Sequence, residues 1–248
     1  MLFGDSTALT LGWSLGAKPL ATKYNYSFQD LGSLGCGVAL GTTVRARGKD
    51  LPEPSTCNGL PVVPGTPLDG RPWPVQWQTH IAISHPNVVV LLAGRWEVVD
   101  RTYQGAWTNI LHPAYADYVK DVLEYASKLV AATGANMVFM TAPCIDEAKQ
   151  PNGTPWPENQ PARLAEYNKL VGQVAAENPT TDSVVNLDGV VCPHGKFDSK
   201  YKGVTIRDSD GVHFKLTAGL ILAPALMPPI VASGRAQMAR LEASGTGS

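Results

Sequence analysis

The sequence predicts one α/β domain, a three-layer sandwich in which a central parallel sheet of about five strands lies between layers of helices. Strand-like and helix-like patterns alternate along the chain, as expected when a crossover helix follows each strand. Residues 87–93 read Asn-Val-Val-Val-Leu-Leu-Ala, an apolar run typical of a strand buried on both faces. The 248 residues are 44% hydrophobic and 17% charged, so residues 1–248 are expected to share one core.

Short elements separated by turn residues are predicted near the N-terminus. A first strand ends at the turn Gly4-Asp5-Ser6, and residues 7–16 form a short helix that Gly16 ends. Residues 24–30 are predicted as the second strand. Residues 41–74 contain many Gly, Pro and Thr residues with little periodicity, which indicates an irregular insertion.

The remaining elements follow from apolar periodicity and from prolines at helix starts. They are helices at 75–84, 113–133, 161–177 and from 217 onward, with strands at 87–93, 137–141 and 183–187. Residues 216–233 are apolar and uncharged, but they contain Pro224, Pro228 and Pro229, which favour a buried terminal helix over a membrane span. A flexible tail is expected from about residue 241.

Charge and cysteine content narrow the function classes. Lys and Arg total 20 against 21 acidic residues, so no net field attracts nucleic acid or an anionic membrane, and a small or neutral substrate is favoured. No histidine pair with metal-ligand spacing and no phosphate-binding glycine loop is present, so no metal and no cofactor are predicted. The cysteines form either disulfides or buried thiols, and the predicted strand order favours pairing Cys36 with Cys57 and Cys144 with Cys192.

Residues able to carry chemistry follow the predicted strands and should meet at one edge of the sheet. Ser6 follows the first strand, Gly35 the second and residues 94–97 the third, while Asp210 and His213 directly precede the last helix. In open parallel sheets the carboxyl ends of the strands form the active-site edge.

Two serines are candidate nucleophiles. Ser14 lies in Gly12-Trp13-Ser14-Leu15-Gly16, which matches the nucleophile-elbow pattern GxSxG. That elbow needs several strands before it, and only thirteen residues precede Ser14, so Ser6 is favoured. Ser6 lies between a strand and a helix whose amino end offers backbone N–H groups, with Asp5 predicted to cap that helix.

A serine nucleophile needs a base oriented by a carboxylate, and Asp210-Gly211-Val212-His213 offers both. The two motifs, GDS near the start and DxxH near the end, resemble blocks I and V of the SGNH (GDSL) hydrolase superfamily, which has a flavodoxin-like fold. This resemblance implies a triad of Ser6, Asp210 and His213. It also implies that Ser6 and a block II glycine, Gly35 or alternatively Gly37, donate backbone N–H groups to the oxyanion hole.

Block III of that family normally reads GxND, and its Asn donates to the oxyanion. Here the matching residues are Gly94-Arg95-Trp96-Glu97, so the Asn is absent. The Trp96 indole N–H takes the Asn position and is a candidate third donor, with packing as its alternative role. Arg95 is a candidate substrate-binding residue.

Residues 90–101, Val-Leu-Leu-Ala-Gly-Arg-Trp-Glu-Val-Val-Asp-Arg, together with residues 4–12, resemble a narrower group. These are extracytoplasmic SGNH domains fused behind membrane acyltransferases of family 3 in actinobacteria. The resemblance implies a membrane acyltransferase domain upstream, an envelope-side location and an oxidising compartment. The short first strand likewise suggests that upstream sequence is missing, and we expect the isolated domain to be monomeric.

The first functional hypothesis is acyl transfer through an acyl-Ser6 ester, from an acyl donor to a glycan acceptor of the cell envelope, for example O-acetylation. The alternative is a short-chain O-acyl esterase, because both reactions share every step up to deacylation. A further alternative is a degenerate carbohydrate-binding module, for which Trp73, Trp77, Trp96 and Trp107 would supply aromatic faces.

Overall fold

A computed structural model describes residues 1–39, 43–52 and 73–245. In chain order the strands are β1 (Leu2–Gly4), β2 (Asp30–Gly32), β3 (Thr43–Ala46), β4 (Lys49–Pro52), β5 (Val88–Leu92), β6 (Asp100–Tyr103), β7 (Ala106–Thr108), β8 (Asn136–Met140), β9 (Asp182–Val185), β10 (Lys200–Tyr201) and β11 (Val204–Thr205). The helices are α1 (Ser6–Leu15), α2 (Lys18–Tyr24), α3 (Trp73–Ser84), α4 (Pro113–Ala131), α5 (Pro161–Glu177), α6 (Leu187–Val191) and α7 (Ala218–Ala243).

The central sheet has five parallel strands in the order β2-β1-β5-β8-β9, which confirms the predicted fold class. Successive side chains of its inner strands pack on opposite faces. Val89 and Leu91 of β5 join the cluster that includes residues of α3, α4 and α5, whereas Val90 and Leu92 join the cluster with α1, α6 and α7. The apolar run read from the sequence therefore fills two cores, one on each side of the sheet.

The region between α1 and β2 differs from the sequence prediction. Lys18–Tyr24 is a helix with Pro19 in its first turn, and it ends at Asn25 in the left-handed conformation, with φ of 53°. The second strand is only Asp30–Gly32, so the predicted strand at 24–30 was placed too early. Proline fits the first turn of a helix, where its missing N–H would have no partner, so Pro19 starts α2.

Part of the predicted irregular insertion is ordered into a second sheet. β3 and β4 form an antiparallel hairpin whose turn residues Arg47 and Gly48 both have positive φ, and the sheet continues as β4-β3-β6-β7. Val44, Ala46 and Val99 form a small core under this sheet. Residues 53–72, including Cys57 and therefore the predicted Cys36–Cys57 pair, lie outside the described residues.

The terminal helix α7 continues through Pro224, Pro228 and Pro229 and reaches Ala243, inside the tail predicted from about residue 241. Within the described part of the chain it alone has the length and apolar composition to cross a membrane. One face is buried against the domain, and a Cβ on Gly219 would lie 2.7 Å from the Ser14 hydroxyl of α1. This close packing of α1 and α7 supports the prediction of a core helix.

The predicted disulfide between Cys144 and Cys192 is formed. It joins the loop after β8 to the end of α6, near the carboxyl edge of the central sheet.

Candidate active site

Ser6 is placed by a turn that only glycine allows. Gly4 ends β1 with φ of +149°, and a Cβ there would lie 1.7 Å from the carbonyl oxygen of Leu92 in β5. Asp5 then caps α1, because its Oδ1 accepts a hydrogen bond from Thr7 N at 2.7 Å. Ser6 is consequently the first residue of the helix, where backbone N–H groups lack partners within the helix and the helix dipole is positive.

The loop that carries His213 is closed on itself and fixed to the rest of the domain. Asp208 N donates to His213 O at 2.8 Å across the turn. Gly211 has φ of +74°, and a Cβ there would lie 2.0 Å from the carbonyl oxygen of Asp146, whose own N–H donates to Gly211 O. The glycine in DGVH is therefore required for the loop to approach the segment after β8.

The structure brings Ser6, His213 and Asp210 into one hydrogen-bonded line. His213 Nε2 lies 2.8 Å from Ser6 Oγ, and His213 Nδ1 lies 2.5 Å from Asp210 Oδ2. With the Nδ1 proton directed at the carboxylate, Nε2 presents its lone pair to the serine hydroxyl. This is the geometry of a general base poised to deprotonate a nucleophile.

The second oxygen of Asp210 fixes the carboxylate relative to the histidine. Oδ1 accepts backbone hydrogen bonds from Val212 N at 2.8 Å and His213 N at 3.0 Å. Burial opposes ionisation of Asp210, but the hydrogen bonds from the His213 side chain and from these two N–H groups outweigh it, so its pKa is lowered. The carboxylate therefore remains charged, as the orienting member of a triad must.

Sequence reasoning did not identify Thr10, although it ties the two halves of the triad together. Its hydroxyl donates to the Ser6 carbonyl oxygen at 3.0 Å and accepts from Phe214 N at 3.1 Å. Thr10 lies one turn after Ser6 and Phe214 directly follows His213, so this bridge fixes nucleophile and base relative to each other. No sequence motif marks it, since a threonine inside a helix is common.

Arg207 was also not identified. It is 2% exposed, donates to Cys144 O at 2.8 Å and lies over the Phe214 ring with 4.5 Å to its centroid. Burial lowers its pKa to about 10, with the charge of Asp210 acting in the opposite direction. Arg207 thus connects the disulfide-bearing loop to the His213 loop.

The loop expected to supply the block II donor follows β2 on the same edge. Ser33 N donates to Gly4 O at 2.8 Å, and Gly35 has φ of 75°. A Cβ on Gly37, the alternative donor, would lie 2.1 Å from a carboxylate oxygen of Glu97. The loop is therefore fixed at one end to the segment before Ser6 and packed at the other against Glu97.

Arg95 and Trp96 have different environments. Arg95 is 6% exposed, and its guanidinium pairs with Glu147 at 2.6 Å and Glu158 at 3.7 Å, an arrangement that favours a structural role over contact with substrate. Trp96 packs against the core of the second sheet, with its indole Nε1 buried and without a hydrogen-bond partner among the described residues. A buried unpaired donor is unusual in proteins, and the predicted oxyanion role of Trp96 stays a prediction.

Ser14 lies in the last turn of α1, away from any strand-to-helix turn. It is 5% exposed and packs against Gly219 of α7. Since a nucleophile elbow requires a serine at the turn between a strand and a helix, the GxSxG match has no catalytic context.

The tryptophans proposed as a sugar platform do not form one. Trp73 and Trp77 are buried in the core, where Trp77 stacks on Phe3 with ring centroids 4.4 Å apart. Of the four, Trp107 is the exposed one, and the Arg45 guanidinium covers its ring at 4.0 Å from the centroid.

Two cavities differ in their relation to the triad. A cleft of about 340 Å³ beside the His213 loop is lined by Asp146, Asn159, Gln160, Lys196 and Phe197 among others. A larger cavity of about 570 Å³ opens near Met1 and Val88, at the opposite edge of the sheet. The smaller cavity is therefore the one on the same edge of the sheet as the triad.

One group of described residues brings potential metal ligands together. Atoms of Cys144, Asp188 and Cys192 lie within 4.8 Å of one another. Both sulfur atoms are bonded to each other in the disulfide, so this group does not offer thiolate ligands.

No protein-family model matches the sequence, and no curated protein matches it either. Solved structures do resemble the fold. An alpha/beta hydrolase enzyme from the metagenome of Lake Arreo, Spain, superposes with a TM-score of 0.52 at 14% identity, covering 95% of this chain and 94% of the other. A GDSL-like lipase from Bacteroides thetaiotaomicron VPI-5482 gives a TM-score of 0.46 at 14% identity over 93% of this chain and 86% of the other. At this identity the likeness to the Lake Arreo enzyme shows the fold alone, an α/β sandwich around a parallel five-stranded sheet.

Proposed function

We propose that this protein is an SGNH-type serine enzyme that transfers acyl groups through an ester on Ser6. The observation that carries the proposal is the hydrogen-bonded line from Ser6 Oγ to His213 Nε2 at 2.8 Å and from His213 Nδ1 to Asp210 at 2.5 Å. Residues from opposite ends of the chain meet in this order at the carboxyl edge of the sheet. A serine acquires useful nucleophilicity only through such a base and its orienting carboxylate.

In the first half-reaction, Ser6 Oγ attacks the acyl carbonyl carbon while His213 Nε2 takes the hydroxyl proton. The carbonyl π electrons move to oxygen, giving a tetrahedral oxyanion. When this intermediate collapses, the bond to the leaving alcohol breaks and His213 returns its proton to that alcohol. The product is an acyl-Ser6 ester, and Asp210 stays ionised beside the imidazolium throughout.

In the second half-reaction, a hydroxyl group attacks the acyl-Ser6 ester, with His213 again taking the proton and then returning it to Ser6 Oγ. Attack by water gives hydrolysis, and attack by a sugar hydroxyl gives O-acylation. The His213 and Asp210 side chains are 32% and 47% exposed, so the base can be approached from solvent. The same residues therefore serve an esterase and a transferase.

The oxyanion would be held by the N–H groups of Ser6 and Gly35, with the Trp96 indole as third donor. Ser6 N is at the amino end of α1, where donors and the helix dipole favour negative charge. Gly35 belongs to the loop that is tied to Gly4 through Ser33. The buried unpaired Nε1 of Trp96 supports its inclusion, because an oxyanion donor lacks a partner until substrate binds.

For the acceptor we favour a glycan of the cell envelope, with a membrane acyltransferase domain preceding residue 1 and the catalytic domain outside the cytoplasm. Part of the cleft beside the His213 loop supports a hydroxyl-rich acceptor, since Asn159, Gln160 and Lys196 in its lining can hydrogen-bond hydroxyl groups and Phe197 offers a ring face. The Cys144–Cys192 disulfide supports an oxidising compartment.

Intact mass spectrometry after exposure to a fluorophosphonate tests the chemistry. Ser6 Oγ should displace fluoride from phosphorus, while His213 takes the proton, leaving one covalent adduct on the wild-type protein. Separate incubation with p-nitrophenyl acetate should release p-nitrophenol and deposit a transient acetyl group. Ser6→Ala should form neither adduct, and His213→Ala should react at least about 10³-fold more slowly.

Ser14→Ala is the matched control, because Ser14 lies on the same helix and is buried to a similar degree as Ser6. It should react like the wild type. An adduct that persists in Ser6→Ala, or no adduct on the wild type, would overturn the acyl-enzyme mechanism and leave glycan binding without catalysis as the remaining function.

A further inference from the structure

Glu97 is the most deeply buried acidic residue near the site and lies in the loop after β5. Its side chain is 0% exposed, and the mechanism described above does not use it. It stands where the related family has the Asp of GxND, two residues after Arg95. A buried carboxylate is costly unless its contacts compensate, so its partners indicate what it does.

Two hydrogen-bond donors to Glu97 belong to the loop that carries Gly35. Glu97 Oε1 accepts hydrogen bonds from Val38 N at 2.6 Å and from Ala39 N at 3.3 Å. The same oxygen would lie 2.1 Å from a Cβ on Gly37, so residue 37 must be glycine for the carboxylate to sit there. Glu97 Oε1 thus contacts the consecutive residues Gly37, Val38 and Ala39, which follow Gly35 in the same loop.

A second carboxylate connects the Glu97 loop to the nucleophile. Asp5, the cap of α1, directs its Oδ1 to Thr7 N, while its Oδ2 accepts from Arg95 N at 3.3 Å. The loop after β5 is therefore bonded through Arg95 to the cap of the helix that carries Ser6. Through Glu97 it is bonded to the Gly35 loop. Through these contacts it sets the separation between the two proposed oxyanion donors.

The electrostatic cost of this arrangement is large. Burial raises the pKa of Glu97, against the lowering effects of Arg101 and of the Val38 and Ala39 N–H groups. Burial and, after it, the nearby charge of Glu97 together raise the pKa of Asp5 to about 6. Two buried carboxylates whose charges oppose each other's ionisation are unusual in a purely structural setting and are common at functional sites.

We propose that Glu97 is a positioning residue that holds the Gly35 loop at the distance from Ser6 required for oxyanion stabilisation. The inference rests on the proposed acyl-enzyme function. Glu97 touches neither substrate nor the reacting atoms, and it acts through Val38 and Ala39. In this chain the block III loop therefore braces its neighbours through Glu97, separately from the oxyanion donor proposed at Trp96.

Two variants, Glu97→Leu and Glu97→Gln, distinguish a positioning role in catalysis from a contribution to folding stability alone. The Leu variant loses the acceptor oxygen, so the Gly35 loop should shift and kcat for p-nitrophenyl acetate should fall about 10²-fold with little change in KM. The Gln variant keeps an oxygen for Val38 N and Ala39 N and should recover most of that loss. Inhibition by phenylboronic acid, whose Ser6 adduct is tetrahedral, should weaken in the Leu variant by a similar factor.

Asp182→Asn is the control, because Asp182 is also a buried carboxylate, bonded to Ser127 Oγ at 2.5 Å, but it begins β9 at the opposite edge of the sheet. It should change the midpoint of thermal unfolding without changing kcat or boronate affinity. If wild type and Glu97→Leu form the Ser6 fluorophosphonate adduct equally fast and share the same kcat, the positioning role is wrong and the acyl-enzyme function stands. If the wild type forms no adduct, both proposals are wrong.

Discussion

The two sides of the proposed site are built in different ways. On the base side, Asp210 lies three residues before His213, and the key contacts are made within one turn and across to Ser6. On the oxyanion side, the Gly35 loop is held by a carboxylate 59 residues away in sequence. The Asp210–His213 pair is encoded locally, whereas the position of the Gly35 loop is encoded by tertiary contacts.

The sides also differ in burial. The Asp210 and His213 side chains are 47% and 32% exposed, whereas Glu97 is fully buried. Substitutions on the exposed side should therefore alter chemistry with little change in the free energy of unfolding. Substitutions on the buried side should alter both, since removing one partner leaves other polar groups unpaired.

The largest expected effect is on the exposed side, in Asp210→Asn. One amide atom can still accept from Val212 N and His213 N, but the other would present an NH₂ group to His213 Nδ1. The imidazole would then place its proton on Nε2, facing Ser6 Oγ, in the wrong tautomer. We expect kcat for p-nitrophenyl acetate to fall on the order of 10³ to 10⁴-fold, with the unfolding midpoint almost unchanged.

Calorimetry and steady-state kinetics on the same preparation check both parts of this prediction. A loss of less than about tenfold would show that Asp210 does not set the tautomer of His213. Asp208→Asn is a matched control, since Asp208 lies in the same loop and its carboxylate bonds Ser209 N at 2.6 Å instead of the histidine.

Local patterns explain why the sheet and the triad were predictable. The apolar run of β5, the helix of α5 with Pro161 at its start, and the pairing of GDS with DxxH each depend on neighbours in sequence. The parallel sheet then determines which ends of the strands meet. The resemblance of GDS and DxxH to the SGNH blocks then implied that Ser6, Asp210 and His213 act together.

Features that depend on distant contacts were not predictable. β3 and β4 have four residues each, and although burial alternates along β3, every residue of β4 is exposed, so no alternation marks the second strand of the hairpin. Trp73 and Trp77 were predicted as faces for a ligand, but they are buried, and Trp77 stacks on Phe3, 74 residues away in sequence. The sequence does not distinguish Glu97 from an ordinary acidic residue in a loop, because neither its burial nor its hydrogen bonds to Val38 and Ala39 can be inferred from the residues around it.

Asp5, which connects the two sides, should make stability depend on pH. Its pKa is raised from 3.8 to about 6 by burial, then by Glu97. Between these values the folded protein binds a proton that the unfolded chain releases, so the free energy of unfolding should fall as pH rises from about 4 to about 6. This pKa difference means that Asp5 alone lowers the free energy of unfolding by about 3 kcal/mol once it is fully ionised.

Urea denaturation across this pH range measures the effect, and Asp5→Asn should flatten the dependence. Burial also raises the pKa of Asp30, to about 6, and the pKa of Glu97, and both act in the same direction, so only part of the slope should be lost in Asp5→Asn and more of it when Asp30→Asn is added. An unchanged slope in Asp5→Asn would mean that Asp5 titrates normally in the folded protein, and the electrostatic link between the two sides would be absent.

The smallest expected effect tests the third donor on the buried side. Trp96→Phe keeps an aromatic ring against the core of the second sheet but removes the indole N–H. If that group stabilises the oxyanion, kcat for p-nitrophenyl acetate should fall about 10²-fold while KM changes little. A buried donor without a partner costs about 1–3 kcal/mol, so a tryptophan that only packs would lose little by this change. Unchanged kcat with an equal or higher unfolding midpoint would therefore assign Trp96 to packing, and the oxyanion would rest on Ser6 and the loop that Glu97 holds.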